Sequence, residues 1–150
     1  MDLDEMIPVL EQLRDQIVEF VTVGSLKYLS MANKIRSSTA FFGNLAKVKP
    51  ILVSDKTGNQ KTFETVRGRA QSLIRVCDLF LQYFEDIPEH KVYIIYAGHQ
   101  EDAHKLQDIL VQEKGFDPNR IIITELGPTV GATVGPGTVG LFGYGKKAAV

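Results

Sequence analysis

Apolar residues recur at Leu3, Met6, Ile7, Leu10, Leu13, Ile17 and Val18, the spacing of one stripe on a helix. The chain is therefore read as opening with an amphipathic helix whose stripe faces a core. Asp4 is the predicted N-cap, which puts Pro8 in the first turn, where a missing N–H costs little. Residues 20–24 (Phe-Val-Thr-Val-Gly) then read as a short strand. Ser25 is placed to cap a brief helix through Leu26, Tyr28 and Leu29, and residues 37–43 predict another short helix ending at Gly43.

The middle of the chain changes period. Residues 49–54 and 60–66 predict two strands flanking Asp55-Lys56-Thr57-Gly58-Asn59, a glycine-bearing turn that makes a hairpin. Over residues 67–85, Ala70, Leu73, Ile74, Cys77, Phe80, Leu81 and Phe84 form a long apolar helical face. Residues 91–97 are almost continuously apolar, as in a strand buried on both faces. A helix over 101–114 and a strand over 120–126 complete a βαβ unit whose strands run parallel. A last strand spans 138–142. The pattern predicts an α/β protein, two-layer α+β in build: a mixed β-sheet of about five strands covered by helices. No linker, repeat or low-complexity tract interrupts residues 1–150, so one domain is expected.

Composition narrows the function classes. Lys and Arg number 17 against 18 Asp and Glu, for a formal net charge of −1. That balance argues against a nucleic-acid partner, which calls for a basic face. The opening Met1-Asp2-Leu3-Asp4-Glu5 is acidic and no apolar run follows, unlike a secretory leader. No stretch approaches the roughly 20 apolar residues of a membrane span. The single cysteine, Cys77, has no internal partner, which fits the cytoplasm.

Seven of the thirteen glycines fall between Gly127 and Gly145 and create two misleading matches. Gly135-Pro136-Gly137-Thr138-Val139-Gly140 fits the GxGxxG dinucleotide fingerprint, yet Leu-Phe-Gly-Tyr-Gly follows where a helix is required. Gly140 to Lys146 fits a P-loop, but Lys147 stands where Ser or Thr holds magnesium, and only three residues remain beyond it. An enzyme acting on a phosphorylated substrate through this segment is therefore disfavoured. His99 and His104 are five apart, off the i, i+4 spacing of a metal pair, and His90 stands alone, so all three are read as surface histidines. Cys77 lies on the apolar stripe of its helix and is read as a buried structural thiol rather than a nucleophile.

Several segments, in order, resemble the C-terminal domain of the DegV family. Ser25-Leu26-Lys27-Tyr28-Leu29 with Asn33-Lys34-Ile35 is similar to the family's LEYL…GGRI stretch, and Phe41-Phe42-Gly43 through Lys49-Pro50-Ile51-Leu52 to its FLG…IKPIL. Thr65-Val66-Arg67-Gly68-Arg69 resembles KVRTR, and Leu126-Gly127-Pro128 with Gly135-Pro136-Gly137 resembles IGPVIG.H.GPG. The resemblance runs in register over residues 7 to 145.

The resemblance implies a protein that binds a long-chain fatty acid, without cofactor, metal or catalysis of its own, and that presents the acyl carboxylate to a fatty-acid kinase. It places Arg67, Lys34 and Thr133 at the carboxylate end, with Gly135 and Gly137 in the adjoining turn. Arginine suits a carboxylate because its donors are charged and forked. Three departures accompany it. Thr133 stands where the family has a histidine, so the hydroxyl neither carries charge nor relays protons. Ala32-Asn33-Lys34 replaces GGR, which keeps a cation and loses the glycines. The family's N-terminal domain, whose loops complete the site, has no counterpart in these 150 residues. A half-cleft exposes an apolar wall, so a homo-oligomer, or a complex with a separate chain supplying the other domain, is expected. The alternative is a non-catalytic oligomerisation or protein-interaction module that has lost lipid binding.

Overall fold

The computed structural model describes residues 2–32, 48–55 and 57–146. The helix expected over 37–43, and Lys34, lie outside the described residues.

Helix α1 (Leu3–Asp15) is capped by Asp2 rather than Asp4. The Asp2 carboxylate accepts from the Glu5 N–H at 3.0 Å, and the Glu5 carboxylate accepts from the Asp2 N–H at 3.1 Å. This reciprocal box satisfies two orphan donors of the first turn. The expected core contact of its stripe is overturned: no residue of α1 is buried, and Leu3 and Leu10 are 69% and 55% exposed. Ile17 and Val18 do not belong to the helix. They open strand β1 (Ile17–Thr22), where β-branched side chains fit, and the Gly145 N–H donates to the Gln16 carbonyl at 2.8 Å as the chain enters the sheet.

The short helix α2 (Lys27–Met31) follows, with the Ser25 hydroxyl accepting from the Lys27 N–H at 3.2 Å. Strands β2 (Val48–Ser54) and β3 (Gln60–Arg67) form the expected antiparallel hairpin. Its turn is held by the Asp55 carboxylate, which accepts from the N–H groups of Thr57 and Asn59. Opposite Ile51 and Leu52 the register slips, since Glu64 and Thr62 are their partners and Phe63 is the extra residue. The slip lets Phe63 meet Phe20 edge-on at 5.4 Å while Glu64 pairs with Arg75 at 2.6 Å.

Helix α3 (Arg69–Tyr83) begins two residues later than the apolar pattern predicts. Gly68, with φ +88° and ψ 154°, turns the chain between β3 and α3, a conformation that strongly favours glycine. Arg67 is thus the last residue of a strand and not a helix residue. The βαβ unit is as expected: β4 (Val92–Ala97), α4 (Gln100–Asp108) continuing as a π-helical turn over Ile109–Glu113, and β5 (Ile121–Glu125), parallel to β4. Within the glycine-rich segment a helix, α5 (Pro128–Val134), goes unpredicted, because seven residues are too few to display a period. Strand β6 (Thr138–Tyr144) runs two residues beyond its predicted end.

The sheet holds six strands rather than about five, in the order β3-β2-β1-β6-β4-β5, with only β4 and β5 parallel. Helices α3 and α4 cover one face. There Val18, Phe20, Ile51, Val53, Val92, Ile94, Val139 and Leu141 meet Leu73, Val76, Cys77, Phe80, Ala103 and Leu106 in one buried cluster. Each Val, Leu, Ile or Phe side chain there contributes roughly 1.5–3 kcal/mol on burial. Among the described residues the other face is covered at one end only, where Val23, Leu26, Leu29 and Leu52 form a second, smaller cluster against Val134.

Candidate functional site

Side chains alternate between the two faces of a strand, so the residues that skip the helix-covered core define the open face. The register sorts them into cross-strand rows. The first, at the carboxyl ends of β1 and β4, holds Val23, Thr138 and Ala97. The second runs Leu52–Val21–Gly140–Ile95. The third runs Gln60–Ser54–Glu19–Phe142–Tyr93. With α5 as its side wall, this floor bounds a cleft of about 470 Å³.

Most of the lining is apolar: Val21, Val23, Leu29, Leu52, Ile95, Leu126, Val130, Val134 and Phe142. Gly140 sits in the middle of the floor, where a Cβ would press on Val21 Cγ2 at 2.6 Å and on the Phe20 carbonyl oxygen at 3.0 Å. Its missing side chain lets Val21 of β1 pack closely against β6.

Thr133 lines the cleft from α5, half-buried. Its hydroxyl donates to the Thr129 carbonyl at 2.9 Å. Gly135 and Gly137 form the turn behind it. The Gly135 N–H donates to the Gly131 carbonyl at 2.8 Å and the Gly137 N–H to the Ala97 carbonyl at 3.0 Å. Both amides are engaged, so these glycines act through shape. A Cβ on Gly135 would collide with the Tyr28 ring, and Gly137 lies against Gly24 of the β1–α2 loop.

Arg67 lies at the same end of the sheet but on β3, three strand positions from β6, roughly 14 Å at the usual strand spacing. It is exposed and has no ion-pair or hydrogen-bond partner among the described residues. The structure therefore brings Thr133, Gly135 and Gly137 together and sets Arg67 across the sheet from them.

Arg69 is the arginine that reaches the glycine turn, and sequence spacing missed it. Its guanidinium donates to the Gly137 carbonyl at 2.6 Å and pairs with Asp102 of α4 at 2.8 Å. Burial tends to raise the Asp102 carboxyl, but the Arg69 charge and hydrogen bond, with Lys105 at 3.2 Å, outweigh it and hold the group below its ordinary 3.8. Arg69 is thus bound into the fold, whereas the exposed Arg67 side chain has no such tie among the described residues.

Cys77 is buried as expected, and burial pushes its thiol up to about 12, which leaves it inert. His99 and His104 are exposed, whereas His90 is half-buried, with its ring 5.4 Å from that of Tyr144 and Nδ1 3.0 Å from the Glu85 carbonyl oxygen. Among the described residues no group of His, Cys, Asp or Glu is arranged to hold a metal ion. Nor is any described helix long and apolar enough to cross a membrane. After Gly135-Pro136-Gly137 comes β6 and not a helix, which disposes of the dinucleotide motif, and Gly140 to Tyr144 lie in that strand rather than in a phosphate-cradling loop.

Comparison with known proteins gives a consistent picture. A family model described as "Uncharacterised protein, DegV family" matches residues 1–146. A DegV domain-containing protein of Streptococcus pyogenes serotype M3 is 26% identical over 147 residues, 98% of this chain and 50% of its own length. The DegV domain-containing protein YqaC of Lactococcus lactis is 28% identical over 146 residues, 97% of this chain and 50% of its own length. Among solved structures, a fatty acid binding DegV family protein from Streptococcus agalactiae superimposes with a TM-score of 0.83 at 25% identity. The superposition covers 97% of this chain and 50% of that one. A DegV family protein from Thermus thermophilus, described by its fatty acid binding, gives 0.80 at 25% identity, with 97% and 51% covered. The chain spans about half the length of the curated relatives it matches.

Proposed function

The chain belongs to the DegV family, and we propose that it supplies one wall of a long-chain fatty-acid site. The observation that carries this reading is the apolar cleft on the sheet face opposite α3 and α4, walled by Thr133 and α5. Methylene groups gain roughly 0.8 kcal/mol each on leaving water, so an apolar trough of this kind suits an acyl chain. The two solved relatives described as binding fatty acids share this fold over nearly all of the chain.

In this reading the carboxylate lies at the Thr133 end of the cleft, Arg67 supplies its cation by reaching across the sheet, and Lys34 supplies a second one. Thr133 turns its hydroxyl from Thr129 toward the ligand, and Gly135 and Gly137 hold the end of the cleft in shape. The wall binds and presents the acid in the cytoplasm, and chemistry on the carboxylate falls to a partner such as a fatty-acid kinase. The complement of the cleft comes from the other half of a DegV protein, in the same chain or in another.

Native mass spectrometry with denaturing extraction tests the reading. A co-purifying long-chain fatty acid is expected, and Arg67→Ala should weaken its binding roughly tenfold to a hundredfold, the worth of a charge-assisted hydrogen bond. Protein without affinity for any long-chain acid, or an Arg67→Ala variant that binds as tightly, overturns it.

A second reading rests on α1. Its uncovered stripe of Leu3, Met6, Ile7, Leu10 and Leu13 favours an interaction module whose partner is another copy of the chain. The two readings are compatible where association also closes the cleft.

A further inference from the structure

The third row of the cleft floor is chemically out of place for a hydrocarbon site. The Gln60 side-chain amide donates to the Ser54 hydroxyl at 2.7 Å and to one Glu19 carboxylate oxygen at 3.4 Å. The other Glu19 oxygen has no hydrogen-bond partner among the described residues, and Glu19 and Gln60 both line the cleft. All three side chains are half-buried, while the neighbouring row, Leu52–Val21–Gly140–Ile95, is apolar throughout. Successive rows lie two residues apart along the strands. From the Val23 row, beside Thr133, to the Glu19 row is therefore roughly 13 Å. For a ligand whose carboxylate sits at the Thr133 end, that depth is mid-chain.

We infer that the Glu19–Gln60–Ser54 row selects acyl chains carrying a hydroxyl group at mid-chain. The inference rests on the fatty-acid reading given above. A plain methylene laid over Glu19 strips water from a carboxylate and returns nothing, an unfavourable exchange for an ionised group. A hydroxyl at the same depth donates to the open Glu19 oxygen and can accept from the Gln60 amide, so the carboxylate keeps a partner. Phe142, paired with Glu19 across β1 and β6, keeps the row shielded on one side. The device is short-range. Moving the hydroxyl toward the carboxylate sets it over Val21 and Ile95, where it finds no polar side chain in the floor.

The test is a comparison of 10-hydroxyoctadecanoic acid with octadecanoic acid by calorimetric titration of the delipidated protein, together with any partner chain that completes the cleft. The wild type is expected to prefer the hydroxy acid roughly fivefold to tenfold, the worth of one net hydrogen bond. Glu19→Leu should abolish or reverse that preference by improving octadecanoic acid binding. Glu19→Gln, which keeps size and polarity, should retain part of it and guards against a folding defect in the leucine variant. Equal affinity for the two acids, or a ratio unchanged in both variants, overturns the inference while leaving the fatty-acid reading intact. Failure to bind either acid overturns both.

Discussion

At Gly135 the chain leaves α5 with φ +79° and ψ 168°, a backbone region essentially closed to other residues. A methyl group there would also meet the Tyr28 ring. Two independent penalties therefore act on one position. Gly135→Ala should lower stability by about 3 kcal/mol or more, since the backbone penalty alone is of order 1–3 kcal/mol. Removing the ring with Tyr28→Ala relieves only the steric part. In urea titrations the double variant should lose about 1 kcal/mol less than the sum of the single losses, a coupling expected only of residues in contact. Strict additivity would mean that the two side chains do not meet.

One element scale up, the start of α3 ties three parts of the fold together. Arg69 joins the β3–α3 turn to α4 through Asp102 and to the glycine turn through the Gly137 carbonyl. The Asp102 carboxyl lies below its ordinary 3.8 in the folded protein. A depressed folded value means that the pair's stability is fully present above pH ~4 and is lost as pH falls through the still lower folded value. Arg69→Ala should accordingly cost about 2 kcal/mol near pH 7, a figure kept small because the pair is partly solvated. Thermal unfolding of wild type and variant should draw together as pH falls below the ordinary carboxylate range and Asp102 becomes protonated in both, leaving only the share of the Gly137 hydrogen bond. A gap that stays constant across that range would place the effect in lost packing instead.

The same elements mark what could be read in the sequence. The hairpin and the βαβ unit were legible because turn residues and local periods specify them within a few dozen residues. The amphipathic α1 was legible as a helix but its environment was not: a stripe says that something apolar is wanted against it, not that this chain provides it. Helix α5 hid among glycines. A single residue, Gly68, separates strand from helix, so spacing alone could not say whether Arg67 or Arg69 turns inward. In the candidate site, Thr133, Gly135 and Gly137 were named only through the family resemblance, within one short segment of the chain. Glu19, Gln60 and Gly140 went unnamed, since only the register of several strands brings them to one floor. Gly140 had moreover been absorbed into a false nucleotide motif.

At the scale of the molecule, the unusual property is how much apolar surface stays uncovered among the described residues. Leu3, Met6, Ile7, Val9, Leu10 and Leu13 of α1 are all exposed, as are Ile17 and Tyr93 on the open sheet face. Monomeric proteins seldom leave a continuous patch of this kind bare. Leu3, Met6, Leu10 and Leu13 follow alternating three- and four-residue steps, the seam of a helix pair, and Pro8 falls outside that seam. The seam is flanked by Asp2, Asp4, Glu5, Glu11 and Asp15 against the single cation Arg14. Two α1 helices packed on each other would therefore gain apolar burial against charge repulsion. Repulsion between exposed charges is screened once the Debye length drops toward ~3–10 Å, so association through α1 should strengthen as salt is raised. Light scattering at micromolar concentration should show a mass above that of one chain, rising with salt. Leu10→Glu should return it to a single chain while changing unfolding stability by no more than about 0.5 kcal/mol, because no α1 residue is buried in the isolated fold. Association that weakens with salt would point to a basic partner surface in place of a second α1. A chain that stays single at every salt concentration would overturn pairing through α1.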